Sequence, residues 1–300
     1  DPVTGAAAGP VTGITPLEQA RKQRTPHALR KSETAMVYLE HALRTMHPKQ
    51  FGEPRYQGDG CLMLRFRSPA TALAVRRISR QQDTSTSSAL LAAFAVAVAR
   101  FTGIGRVMTW LSVGNRFRPG FADTVSAVAQ LSPYLIDVDD VSLGEAVARA
   151  RTSVLNAYKN AYFDPYEQDP VIDRVEAERG PVDYSCFYLD RRRGRDVTDG
   201  PLPTDEEIRA AVNLGEHGWE YRPDMANRRL FLTVEDGPAG AADFVLTADT
   251  RFFSETDMVA LTTEFEAVAV RAAIEPSLST GVGRQASSHR EPVDVSTWGR

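Results

Sequence analysis

The sequence predicts an α/β fold, a mixed sheet flanked by helices, and three features carry that expectation. A helix-like segment, Thr86 to Phe101, leads directly into an apolar strand, Arg106 to Val113. A second apolar run, Leu131 to Val138, follows a polar turn. Further on, His217 to Arg222, Arg229 to Glu235 and Ala242 to Ala248 read as three more strands, the last two separated by the turn formers Asp236-Gly237-Pro238. Helical and strand periods therefore alternate, as they do when helices cover the faces of one sheet.

The elements follow in order. Residues 1–13, rich in Gly, Ala, Pro and Thr, read as a linker to something before it, and the chain does not begin with Met, which suggests a processed, excised or cleaved product. Thr15-Pro16-Leu17-Glu18 has the form of a capping box with Pro at the first helical position. Pro26 ends or caps that helix, and a second is expected over Ser32 to Met46, with Met36, Leu39 and Leu43 on one face. Cys61 to Phe66 alternates as a strand, and Ser68-Pro69 starts a helix to about Gln81. In the segment Thr86 to Phe101, Leu90, Phe94, Val98 and Phe101 share one helical face. Met108, Trp110, Leu111 and Val113 are too dense in apolar residues to alternate, which predicts a strand covered on both faces.

Ser142 with Glu145 predicts another capped helix, carrying Val147, Val154 and Tyr158. Val171 to Glu178 is expected to form a short helix ending at Gly180, and Val182 to Leu189 a strand. Around Asp205-Glu206-Glu207 the pattern fits a loop or a short capped helix. Ser254 caps a last helix with Met258, Leu261, Phe265 and Val268 inward, and 276–300 is expected to be a disordered tail.

Composition excludes several classes of function. The 42% of hydrophobic residues is enough for a substantial core, and a net charge of −4 gives no overall electrostatic reason to expect nucleic acid or a membrane as partner. No run approaches a membrane span. Cys61 and Cys186 each lie in an apolar run without metal-ligand spacing to another Cys or His, so reduced core thiols and a cytoplasmic location are expected. There is no P-loop and no Gly-x-Ser-x-Gly elbow, and Gly103-Ile104-Gly105-Arg106 precedes a strand where a dinucleotide fingerprint would follow one.

Four stretches taken together resemble the C-terminal lobe of nonribosomal peptide synthetase condensation domains, in the chloramphenicol acetyltransferase-like or coenzyme A-dependent acyltransferase superfamily. They are the helix LLAAFAVAVARFTG with its strand ending in Asn115-Arg116, the turn RPGFADTV with the strand LSPYLIDV, AYFDPYE (Ala161 to Glu167), and VDYSCFYLDRR (Val182 to Arg192). The likeness runs from about Ile14 to Ala273. It implies an acyltransferase-like lobe over 14–275 that acts in a condensation enzyme, joining carrier-bound acyl and aminoacyl thioesters through an amide or ester bond. The partners implied are carrier proteins and an N-terminal lobe. No cofactor is bound directly, and the substrates ride on phosphopantetheine. The family's catalytic motif, His-His-x-x-x-Asp-Gly, is absent, since His27, His41, His47, His217 and His289 are all isolated. No catalytic residue is therefore assigned in this chain, and the histidine is expected on a separate or missing N-terminal segment. Two alternatives stay open: a non-catalytic condensation-like module that recruits a tailoring enzyme or carrier protein, and a free-standing acyltransferase using coenzyme A.

Site candidates each carry two readings. Asn115 and Arg116 at a strand end either line the lobe interface or pair locally, for example with Asp123. Gln130 and Ser132 face the family's substrate tunnel or are ordinary strand residues. Asp164 and Tyr166, with Glu167, offer acid-base groups or stabilise a turn. Arg191, Arg192, Arg193 and Arg195 contact an anion such as a phosphopantetheine phosphate or an acidic carrier surface, or belong to a solvated loop.

Overall fold

The structure, a computed structural model, describes residues 13–192, 200–212, 214–222, 228–238 and 242–283. The expected linker up to residue 12 and the expected tail from 284 lie outside these residues. Helices α1 (Pro16–Gln23) and α2 (Pro26–Thr45) precede strand β1 (Cys61–Ser68), followed by α3 (Pro69–Gln81), α4 (Thr86–Thr102), β2 (Arg106–Val113) and β3 (Gln130–Asp137). Then come α5 (Leu143–Lys159), a single 3-10 turn (Pro165–Glu167), α6 (Gln168–Arg179), β4 (Cys186–Asp190) and α7 (Asp205–Ala211). The strands β5 (Glu216–Arg222), β6 (Leu230–Asp236) and β7 (Ala242–Asp249) lead to α8 (Glu255–Ile274). All the strands join one mixed sheet in the order β3-β2-β4-β6-β7-β1-β5.

The boundaries follow the capping chemistry closely. Thr15 and Ser254 form complete capping boxes with Glu18 and Asp257, and Thr204 does so with Glu207, which decides for a helix at α7. The second helix begins at Pro26, six residues before the expected Ser32. Thr25 accepts the N–H of Ala28 and the proline ring supplies the first helical φ, so Pro26 opens α2 where it was expected only to close α1.

Side chains alternate across the sheet. On one face Leu64, Phe66, Leu232, Val234, Phe244 and Leu246 meet the helices α3, α4, α5 and α8. On the other, Met108 and Trp110 of β2 pack against Leu39 and Leu43 of α2 and Ile172 and Val175 of α6. The central strand is thus covered on both faces, as its composition predicts. Helix α4 departs from the expected single apolar stripe: every residue from Thr86 to Ala99 is buried. Small residues such as Ala93, Ala95 and Ala97 let neighbouring elements close on it from several sides. Both cysteines are buried and free, and burial pushes the Cys186 thiol up to about 12, so it is inert near neutral pH.

The first residues of the expected tail are ordered instead. Thr280 and Val282 are buried, the Thr280 N–H donates to Val141 O at 2.8 Å, and the Asp140 N–H donates to Val282 O at 2.8 Å. The Thr280 hydroxyl also donates to Val138 O at 2.8 Å, and the Leu143 and Gly144 N–H groups donate to Leu278 O at 2.7 Å and Pro276 O at 2.8 Å, so the segment is held at the start of α5. Among the described residues no single helix is long and apolar enough to cross a membrane.

Phe244 stacks on Phe66 at 4.8 Å and meets Phe265 edge-on at 5.1 Å between sheet and α8. Phe244→Ala is expected to cost about 3–5 kcal/mol, the usual loss for an aromatic core truncation. Urea unfolding checks this through a lowered midpoint at unchanged slope.

Candidate functional site at the carboxyl rim of the sheet

Strands β2, β4 and β6 run parallel, so their carboxyl ends share one rim. In open α/β sheets such a rim is where ligands bind. Asn115 and Arg116 follow β2 there, Gln130 opens β3 opposite Val113, and Asp190 to Arg192 leave β4. Helix α4 precedes β2 and runs against it, which brings the α4 N-terminus to the same rim. The Ser87 hydroxyl accordingly donates to Asp190 Oδ2 at 2.6 Å.

Asn115 is fully buried and holds a left-handed backbone, φ 55°, which asparagine tolerates better than most residues. Its Nδ2 donates to Val128 O at 2.8 Å and Ala161 O at 2.7 Å, while its Oδ1 accepts from Arg118 Nε at 2.8 Å. One side chain thus ties the end of β2 to the approach to β3 and to the exit of α5. Arg116 donates to the carbonyls of Phe121, Thr124 and Ser126, so it organises the 116–127 loop from within. Arg118, which the sequence gave no reason to single out, donates to Tyr158 O at 3.0 Å and lies over the rings of Phe117 and Tyr162. Burial draws its guanidinium below the ordinary value. Asn115 and Arg116 thus both bond to backbone carbonyls of this lobe.

Gln130 and Phe163 bond reciprocally, Gln130 Nε2 to Phe163 O at 2.9 Å and Phe163 N–H to Gln130 Oε1 at 3.0 Å. Ser132 is fully buried beside Leu111 on the α4 side of the sheet, its hydroxyl unpartnered. Ser132 is enclosed, whereas Gln130 is partly exposed. Asp164 caps the 3-10 turn by accepting the Tyr166 N–H at 3.1 Å, and Ser32 bridges the Asp164 N–H, at 2.8 Å, to Glu167 Oε2, at 3.0 Å. Tyr166 is 88% exposed. This pair belongs to a turn that directly follows Phe163, the partner of Gln130.

The arginine run divides. Arg191 is exposed and pairs with Glu235 at 3.2 Å. Arg192 turns inward, with a side chain 10% exposed against 5% for Asp190, and grips that carboxylate through Nε at 3.0 Å and Nη2 at 2.8 Å. Its Nη2 also reaches Thr86 Oγ1 at 3.3 Å and Ser87 Oγ at 3.4 Å. Burial works against the charged guanidinium, yet the hydrogen bonds and charge of Asp190 leave its pKa raised. Arg192 is thus a buried ion-pair partner where an anion contact or a solvated loop was expected. Arg193 and Arg195 lie outside the described residues. Among the described residues no group of His, Cys, Asp and Glu could hold a metal.

The rim cluster is thus Thr86, Ser87, Asp190 and Arg192, a buried ion pair under the first turn of a buried helix. The hydroxyls of Ser85 to Ser88 were legible only as a polar break between two helices. The pairing of Ser87 with Asp190 spans 103 residues and leaves no local signature.

Removing one partner of a buried pair strands the other. Asp190→Ala is therefore expected to destabilise the chain by about 3–5 kcal/mol, and Asp190→Ala with Arg192→Met by clearly less than the sum of the two single changes. A double-mutant cycle in urea measures that coupling. Asn115→Ala leaves two buried carbonyls unpaired and forces alanine into the left-handed region, with an expected loss of about 2–4 kcal/mol. Asn115→Gly, which removes only the hydrogen bonds, is expected to lose less.

No family model and no curated protein matches the chain. Solved structures do. The SgcC5 protein from Streptomyces globisporus shares 19% identity over 93% of this chain and 64% of its own, with a TM-score of 0.63. The condensation domain of the monacolin K polyketide synthase shares 15% identity over 92% of this chain and 64% of its own, with a TM-score of 0.67. The first condensation domain of the calcium-dependent antibiotic synthetase shares 13% identity over 92% and 58%, with a TM-score of 0.64. This chain spans less than two thirds of each, and its fold is that of part of the condensation domains of nonribosomal peptide and polyketide synthases.

Proposed function

We propose that this chain is the C-terminal lobe of a condensation enzyme that joins carrier-bound thioesters in nonribosomal peptide or related biosynthesis. The observation that carries the reading is the fold: one sheet with its helices superposes on condensation domains over nearly the whole chain but only part of theirs. The order of the motifs around Asn115, Ala161 to Glu167 and Val182 to Arg192 supports assignment to the C-terminal half.

In the proposed reaction an amine nitrogen attacks the thioester carbonyl carbon. The C–N bond forms, the C–S bond breaks, and the thiol leaves with the proton the amine gives up. The histidine that assists is supplied by the N-terminal lobe. This lobe contributes part of the wall of the substrate channel, against which a phosphopantetheine-linked substrate is held. Positioning of two substrates accounts for much of the acceleration in such a reaction.

A second reading has one observation in its favour, the lack of any His-His pair in this sequence. On that reading the lobe belongs to a condensation-like module that docks a tailoring enzyme or a carrier protein without forming a bond.

Native and denaturing mass spectrometry of the protein purified from its source, followed by an assay with two loaded carrier proteins, separates the readings. The expected result is a longer or companion polypeptide with paired histidines, and an acceptor carrier that gains the donor's mass. That gain is lost when the second histidine is replaced. A chain or complex without paired histidines that binds a carrier or oxygenase and transfers nothing overturns the catalytic reading. Transfer from an acyl-coenzyme A without any carrier protein overturns the carrier-dependent one.

A further inference from the structure

A cleft of about 390 Å³ lies between helix α5 and the turn that joins α3 to α4. Its size falls at the small end of ligand pockets, which span about 300–1,000 Å³. Gln82 and Thr84 line it from the turn, and Val147, Arg151 and Leu155 from α5. The α5 residues recur at every fourth position, so they form one stripe along the helix with the guanidinium between two apolar side chains. The turn is held in place: the Thr84 N–H donates to Ser79 O at 3.0 Å, and Asp83 takes a left-handed backbone, φ 47°, which aspartate tolerates better than most residues.

The donors at this cleft lack hydrogen-bond partners. Thr84 Oγ1 is buried and bonds to nothing, an arrangement that costs stability and is rare in folded chains. The Gln82 carboxamide bonds to none of the described residues. Arg151 makes no hydrogen bond among them either, and it is approached only by Asp83, at 3.6 Å, whose side chain is 98% exposed. So exposed a contact contributes little and is readily displaced. By contrast Arg149, on the same helix, is bonded on two sides, to Glu145 at 3.1 Å and to Asp137 O at 3.0 Å. The other hydroxyl at the cleft, that of Thr152, donates to Ala148 O at 3.4 Å. Beside the free donors Leu155 is 60% exposed.

We propose that this cleft binds a small monocarboxylate with a short apolar chain. The carboxylate is held by Arg151 together with the Gln82 amide and the Thr84 hydroxyl, and the chain lies over Val147 and Leu155. A planar guanidinium matches a carboxylate through two parallel hydrogen bonds, and a neutral amide of the same shape forfeits their charge assistance. Phosphate suits the cleft less well, because its second charge would stand beside Asp83 and it brings no apolar group to Leu155. The proposal does not depend on the catalytic reading.

The test is saturation-transfer NMR on the purified protein with hexanoate and hexanamide, inorganic phosphate being read as a competitor of hexanoate. Hexanoate is expected to bind with a dissociation constant of about 1–10 mM, the range open to so small a ligand. Hexanamide and phosphate are expected to bind at least about tenfold more weakly. Arg151→Gln is expected to weaken hexanoate binding by about tenfold or more, and Arg149→Gln to leave it unchanged. Thr84→Val moves two readouts in opposite directions: it removes an unsatisfied buried hydroxyl, so the urea midpoint rises, while hexanoate affinity falls by about threefold or more. Failure of hexanoate to bind overturns the proposal, and so does binding of hexanamide or phosphate as tight as that of hexanoate. Affinity unchanged in Arg151→Gln, or reduced equally in Arg149→Gln, overturns it as well. If Arg151→Gln fails to fold, Thr84→Val decides alone, and undiminished hexanoate binding by that variant overturns the proposal.

Discussion

Helix α4 has no solvent face, and much of the architecture follows from that. A helix buried on all sides needs apolar or small side chains at every position, and Leu90, Leu91, Phe94, Val96 and Val98 with the intervening alanines supply them. Burial also deprives its first turn of water, so the N–H groups and polar side chains there must find partners within the protein. Ser85 caps the helix by accepting the Ser88 N–H at 3.1 Å, and the hydroxyls of Thr86 and Ser87 are taken up by Asp190 and Arg192. The rim cluster is thus first a solution to the burial of α4.

The neighbouring loop obeys a different logic. Phe117 and Phe121 pack residues 116–127 against Tyr158 and Tyr162, and the loop is further held by donors that collect backbone carbonyls: Asn115, Arg116 and Arg118 among them engage Phe121, Thr124, Ser126, Val128, Tyr158 and Ala161. A guanidinium suits this role because its five donors splay in one plane. A carboxylate partner would satisfy the charge of Arg116 but would fix the loop at one point only. Carbonyls fix it at several.

What could be read from the sequence was what is local. The capping boxes at Thr15 and Ser254, the strand Arg106 to Val113 and the helix ended by Gly180 depend on residues within a few positions of one another, and the structure places all of them. Pro26 misled because a proline after Thr25 serves equally as the end of one helix and the start of the next. The order of the strands was not legible: β6 lies parallel beside β4, and β5 lies at the far edge beside β1, pairings set by side-chain burial across the whole sheet. The same distance hid the role of Arg192. Four arginines in a short run resemble a solvated anion site, and only the fold of β4 against α4 reveals that one of them is spent on Asp190.

The sheet's edges show how a lobe with exposed strands limits further pairing. At one edge Pro133 offers β3 no N–H, and the carbonyls of Pro133, Leu135 and Asp137 accept from Tyr38 at 2.9 Å, Ser153 at 2.8 Å and Arg149 at 3.0 Å. Alternate acceptors along this strand are therefore occupied by side chains from α2 and α5, and an incoming strand would have to displace them. At the other edge β5 places Glu216 against Arg67 at 3.1 Å, and charge on an edge strand discourages a second strand without forbidding it. The two edges are unequal in consequence. Extension of the sheet past β3 would displace three side-chain hydrogen bonds, whereas β5 carries charged and aromatic residues, Glu216, His217 and Trp219.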